Sequence, residues 1–333
     1  VTILEGANMA DLKLTYLGLQ LRNPVIMASS GLTASAEGVK RSIDAGVGAI
    51  VLKSLFEEQL RAELGQVGGV WDHPEAAAFL DGMGMNEGSA EYLALIEATK
   101  KSGDVPVFAS VNCAGAASWT DFAKRIESAG ADAIELNLGM LPVDPSEPGT
   151  GIEDRMTSIV STVTSAVRIP VAVKLGSAYT NVGNVALRLA GAGAKGVVLF
   201  NRFYRMDIDL ESMSLAAGPT RGTPEAYHES LRWIALLEGR IGGAELCASG
   251  GVFDGLSVLR LVAAGASAVQ ICSAAYAKGY GALTKIIDEA GAWMDAHKLA
   301  SLSELRGRLA RRNSEKPELY GRLHYIKALT GQG

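Results

Sequence analysis

Two lysines and three asparagines, Lys53, Lys174, Asn112, Asn137 and Asn201, each stand at the end of a short apolar run. Any strand must turn polar as it leaves a core, which accounts well for the serines at such positions. It accounts less well for lysine, which is almost never buried without a partner. These five side chains are therefore candidates for holding a ligand. Ser29-Ser30-Gly31, Ser249-Gly250-Gly251 and Cys272-Ser273 occupy the same position behind three further runs. In ASGGVFDG two glycines lie between a strand pattern and a helix pattern, and in ICSAAYAKG a hydroxyl precedes a helix. Backbone N–H groups at such junctions bind phosphate, and glycine lets the phosphate approach. A phosphorylated ligand is expected there, of a kind these residues do not specify.

Other chemistries are excluded by spacing. GAGAKG at 191–196 matches a dinucleotide fingerprint letter for letter, but it follows a helix and opens a strand, the reverse of the required order. His73, His228, His297 and His324 are neither at metal-ligand spacing nor at strand ends. Cys113, Cys247 and Cys272 form no CxxC pair, and Cys113 reads as a small buried hydrophobe. With 31 basic against 36 acidic residues the net charge is −5, which disfavours a nucleic-acid partner. No apolar stretch approaches the length of a membrane span, and no leader pattern is seen, so a cytoplasmic location is expected. Residues 1–8 read as an upstream extension, with Met9 an alternative start, and 9–333 as one domain.

The elements that must position these residues come from an internal repeat. AGVGAIVLKS, AGADAIELNL, AGAKGVVLFN and AGASAVQICS begin at Ala45, Ala129, Ala192 and Ala264, spaced 84, 63 and 72 residues apart. Each follows a helical pattern, and its glycine is suited to the left-handed cap that ends a helix. Each then runs into a short β-branched stretch, as a buried parallel strand does. NPVIMASSG, VPVFASVN, IPVAVKLG and GAELCASGG fall midway between the repeats and read as strands too. Helices are expected over 35–45, 87–101, 119–129, 153–167, 182–191, 228–238, 254–264 and 279–296. Eight strand–helix units predict an α/β protein with a (β/α)8 TIM barrel, with a doubly wound sheet as the other arrangement. An N-terminal β-hairpin in DLKLTYLGLQLRN would close the barrel bottom, and SLSELRGRLARRN reads as an extra C-terminal helix. The connections 54–86 and 202–227 exceed simple loops and suggest binding segments. Asn201 is one residue out of phase with Lys53 and Asn137, so the strand must bend for it to face inward.

In this order, NPVIMASSG, Lys53-Ser54, DGMGMNEGSAEYL, PVFASVN, ELNLGMLP, VAVKLG, Asn201, ASGGVFDG and VQICSAA resemble the dihydroorotate dehydrogenases. The likeness runs from Asp11 to about Gly291. It implies FMN as cofactor, a place in pyrimidine biosynthesis, and the class 1 branch, since the membrane-associated class carries an N-terminal extension not seen here. It further implies that Ala28, Ser29 and Gly31 line the flavin. Lys53, Ser54 and Asn137 would touch flavin and substrate, and Asn112 and Asn201 would contribute to the same site. Lys174 would lie at the N1/O2 edge of the ring, where a cation stabilises the reduced anion. Gly250, Gly251, Cys272 and Ser273 would hold the phosphate.

The substrate half departs from the family pattern. Where the family has Asn-Leu-Ser-Cys-Pro-Asn, with the cysteine as base, this chain has Asn137-Leu138-Gly139-Met140-Leu141-Pro142. Asp81 replaces an asparagine before Met83-Gly84, and Arg202 replaces a small hydroxyl residue; these four are the candidate substrate contacts. Arg202 and Arg205 could grip a carboxylate. An FMN oxidoreductase acting on a carbon–carbon bond of dihydroorotate or a related small carboxylated molecule is the leading expectation. An electron-transfer subunit with a decayed pocket and a flavin-free phosphate-binding isomerase are the other readings. A homodimer and a redox partner protein both remain open.

Overall fold

The computed structural model describes residues 10–56, 88–112, 119–140, 142–202, 205–219 and 221–331. A hairpin opens the chain, β1 (Leu14–Tyr16) against β2 (Leu19–Leu21), antiparallel. There follow β3 (Val25–Met27), β4 (Ala49–Val51), a short β5 (Leu55–Phe56), β6 (Val107–Asn112), β7 (Ala133–Asn137), β8 (Val171–Leu175) and β9 (Gly196–Leu199). A second antiparallel pair, β10 (Met206–Asp209) and β11 (Ser214–Ala217), precedes β12 (Glu245–Ser249) and β13 (Ala268–Ile271). The parallel strands pair in the order β4-β3-β13-β12-β9-β8-β7-β6, and the additional β4–β6 pairing closes the ring. The barrel is the expected eight-stranded one, and closure excludes the doubly wound sheet.

Helices alternate with the strands as α1 (Ala36–Asp44), α2 (Ser89–Ser102), α3 (Trp119–Ser128), α4 (Gly149–Ala166), α5 (Val182–Gly191), α6 (Tyr227–Leu237) and α7 (Gly255–Ala264). The repeat explains the regularity. Gly46, Gly130, Gly193 and Gly265 all have positive φ, between 93° and 126°. Each ends its helix in a conformation that only glycine enters cheaply, and β4, β7, β9 and β13 each begin three residues later.

The helix expected over 279–296 is α9 (Gly281–Ala296), and the helix expected after the ICSAAYAKG hydroxyl is the short α8 (Ser273–Lys278), the two separated at Gly279, whose φ is 78°. One detail differs from expectation. The stretch 301–313 forms only one helical turn, α10 (Leu302–Leu305), before Gly307 at φ 73° turns the chain; a longer C-terminal helix, α11, comes later at Arg322–Thr330. The long connection after β9 is the exposed β10–β11 hairpin, while most of 54–86 lies outside the described residues. No described helix is long and apolar enough to cross a membrane.

The hairpin closes one end of the barrel. Tyr16, Leu17 and Leu21 pack against inward-facing strand residues, several of them alanines, and the Tyr16 ring lies 6.0 Å from that of Phe108. The small residues leave the space that the two rings fill. Glu245 at the start of β12 accepts a hydrogen bond from the Leu17 backbone N–H, anchoring the turn. Burial pushes the Tyr16 phenol well above its usual range, and neighbouring Cys247 and Glu135 push it further, so it stays neutral. Tyr16→Ala is expected to cost about 3 kcal/mol or more of stability, as large core truncations do. Chemical denaturation measures this; an unchanged midpoint would show that the hairpin does not plug the barrel.

Candidate functional site

At the other end, where the parallel strands finish, polar side chains converge because each strand leaves the core there. β6, β7 and β8 place Asn112, Asn137 and Lys174 in register across three neighbouring strands. Asn201 lies just past β9, and its Nδ2 donates to Asn137 Oδ1 at 2.9 Å. Asn201 thus borders the cavity despite its phase, and the Leu199–Phe200 peptide before it is cis. Ser54 Oγ stands 3.1 Å from Ser29 Oγ and 2.7 Å from Ser110 Oγ, a hydroxyl chain across three strand ends. Tyr92 of α2 donates to the Ser110 carbonyl at 2.8 Å and secures its lower end. Lys53 is half-buried beside Ser54, and its backbone N–H donates to the Thr33 carbonyl.

Lys174 is buried at 7% exposure, yet it borders a cavity of about 450 Å³. Its Nζ donates to Gln270 Oε1 at 2.7 Å and lies 3.7 Å from Glu135 Oε1. Gln270 Nε2 in turn donates to Glu135 Oε2. Reading for strand ends missed Glu135 and Gln270, which sit one turn of the pleat deeper. The signal was available: Glu135 is the one charged residue in the run AIELN, and Gln270 the one polar residue in AVQI.

The same cavity is bordered by Ala28, Ser29 and Asn201, and by Gly250, Gly251, Cys272 and Ser273. Ser54 and Asn137 join it through their hydrogen bonds to Ser29 and Asn201, whereas Gly31, Lys53 and Asn112 are not among the residues that line it. Gly251 has φ 71°, and a Cβ there would come within 2.2 Å of the Tyr227 backbone nitrogen. Only glycine fits, and it keeps the backbone bare at the cavity wall. Ser273 Oγ accepts from the Gly222 backbone N–H at 3.0 Å, which draws the segment ahead of α6 across this end.

Arg202 and Arg205 border the cavity as well. The Arg202 guanidinium donates to the carbonyls of Pro219, at 2.7 Å, and of Arg221. Burial lowers its pKa, and the like charge of Arg205 lowers it further. Burial also pushes the Cys272 thiol up, against the pull of Lys174 and Arg202, so that thiol is a poor source of thiolate. Met140 is half-buried and packs against the core, while Pro142 is exposed. Asp81, Met83, Gly84 and Cys113 lie outside the described residues.

The arrangement joins a buried cation, amides that donate and accept, and a bare glycine backbone around one cavity of ligand size. Comparisons with known proteins agree with it over most of the chain. The family model described as dihydroorotate dehydrogenase matches residues 11–294. A dihydroorotate dehydrogenase B (NAD(+)) catalytic subunit from Thermoplasma acidophilum is 28% identical over 308 residues, covering 90% of this chain and 99% of its own length. Another protein of that name from Methanocaldococcus jannaschii is 29% identical over 314 residues, covering 89% and 97%. A chain from Aeropyrum pernix provisionally named dihydroorotate dehydrogenase A (fumarate) is 28% identical over 308 residues, covering 89% and 97%. This chain belongs to the dihydroorotate dehydrogenase family of FMN-dependent oxidoreductases.

Proposed function

We propose that the strand-end cavity holds FMN and that the chain moves a hydride between this flavin and a carbon–carbon bond of a small carboxylated substrate other than dihydroorotate. The observation that carries this is Lys174, a buried cation bordering the same cavity as the Gly250–Gly251 backbone and Ser273. The residues present fit the group. The cavity falls in the size range of cofactor sites, about 300–1,000 Å³, and Gly250, where an added Cβ would meet nothing within 4 Å, leaves room for a phosphate to approach the backbone.

FMN supplies a ring that accepts or returns a hydride, and the chain supplies binding, orientation and charge. Ala28, Ser29 and Gly31 would line the ring. Lys53, Ser54, Asn112, Asn137 and Asn201 would offer it and the substrate a set of donors and acceptors. Lys174 would answer the negative charge of the reduced ring. Gly250, Gly251, Cys272 and Ser273 would receive the phosphate. Asp81, Met83, Gly84 and Arg202 would face the substrate. The rewritten loop at Met140 supports a substrate other than dihydroorotate, since a thioether carries no titratable proton. The relatives named as catalytic subunits support a separate protein that takes the electrons from this one.

Purified protein is expected to carry one non-covalent FMN per chain. Heat-released supernatant, separated by chromatography against FMN, FAD and riboflavin standards, checks both identity and stoichiometry. Colourless protein that also fails to take up added FMN would overturn the reading and return the phosphate-binding isomerase to first place.

A further inference from the structure

Behind Lys174 the barrel interior holds a buried carboxylate that the flavin chemistry does not call on. Glu135 is 1% exposed, does not border the cavity, and reaches it only through Lys174 and Gln270, which do. The Gln270 amide bridges the two side chains. Lysine ammonium can only donate and an ionised carboxylate can only accept. The amide therefore turns its oxygen to Lys174 Nζ and its nitrogen to Glu135 Oε2, the arrangement seen. Glu135 Oε1 has no hydrogen-bond partner among the described residues and lies 3.7 Å from Lys174 Nζ. The other titratable groups facing this interior are Tyr16 and Cys247, both kept neutral by burial.

We propose that Glu135 is a positioning residue that, with Gln270, aims Lys174 at the cavity while offsetting part of its field, and so sets the reduction potential of the bound flavin. This rests on the FMN reading above. Gln270 fixes the ammonium from one side and Glu135 stands behind it, so bound flavin would experience a dipole rather than a bare cation. The cation nearest the ring favours reduction; the carboxylate behind it opposes reduction. The two residues therefore carry opposite signs.

The test is a redox titration of FMN-loaded Glu135→Gln against the unaltered protein. Removing the carboxylate is expected to raise the midpoint, as reduced FMN becomes about tenfold or more tighter-bound relative to oxidised FMN, or about 30 mV for a two-electron couple. Thermal stability falls whether the role is structural or electrostatic, so the midpoint alone decides. Should Glu135→Gln fail to fold, Glu135→Asp, which keeps the charge but withdraws it by a methylene, is expected to give a smaller rise in the same direction. A foldable variant with full FMN occupancy and an unchanged or lowered midpoint overturns the inference. An unaltered protein that takes up no FMN would instead overturn the cofactor reading on which it stands.

Discussion

Lys174→Ala is expected to keep most of its FMN and to lower the flavin reduction potential. Binding of the oxidised, neutral ring draws on the whole cavity, from Ala28 to Ser273, and one lysine is a small part of that. Reduction places negative charge on the ring, and a unit charge about 5 Å away in a medium of effective dielectric near 20 is worth roughly 3 kcal/mol. The reduced form should thus lose about a hundredfold in affinity relative to the oxidised form, or roughly 60 mV for a two-electron couple. Spectroelectrochemical titration of the reconstituted variant checks this. An unchanged potential at full occupancy would remove Lys174 from the flavin site.

With dihydroorotate as substrate, turnover is expected to be absent or at least ~10²-fold below that of an ordinary family member assayed alongside. Oxidation needs a group to abstract a proton while the flavin takes the hydride, and a positioned base contributes about 10²–10⁴ in rate. Met140 occupies the place where the family resemblance puts that base. Neighbouring groups are poor substitutes: the Cys272 thiol is pushed up by burial, and Lys174 is held by Gln270 and Glu135. Met140→Cys alone is not expected to restore turnover, because Asp81, Pro142 and Arg202 differ as well. Asp81 aligns with the family's substrate-binding asparagine, and a carboxylate at that position would repel the orotate carboxylate. Recovery of family-level turnover in the single variant would place the whole defect in one side chain.

The barrel was legible because its signal is backbone chemistry. Four glycines at positive φ, each three residues before a strand, announce themselves as Ala-Gly repeats whatever ligand the protein binds. The strand-end lysines and asparagines were legible for the same reason, since alternation along a strand tells which side chains face inward. Glu135 and Gln270 were passed over because they lie inside a buried run, where polarity is rare and means pairing rather than surface. The short turn at Leu302–Leu305 was not legible, because it stops at Gly307 while the helical pattern of the sequence continues past it. The path of Arg202 was not legible either. Its partners are the backbone carbonyls of Pro219 and Arg221, and no side-chain pattern encodes a carbonyl.

In the proposed function, the flavin half of this family's site is kept while the dihydroorotate half is rewritten. Anaerobic stopped-flow mixing tests it most directly, following the flavin absorbance of the FMN-loaded protein against dihydroorotate, with dithionite as the reducing control. Rapid bleaching by dithionite and a flavin that stays oxidised with dihydroorotate is the result predicted here. Rapid bleaching by dihydroorotate would contradict it and establish the chain as an ordinary dihydroorotate dehydrogenase with its base elsewhere.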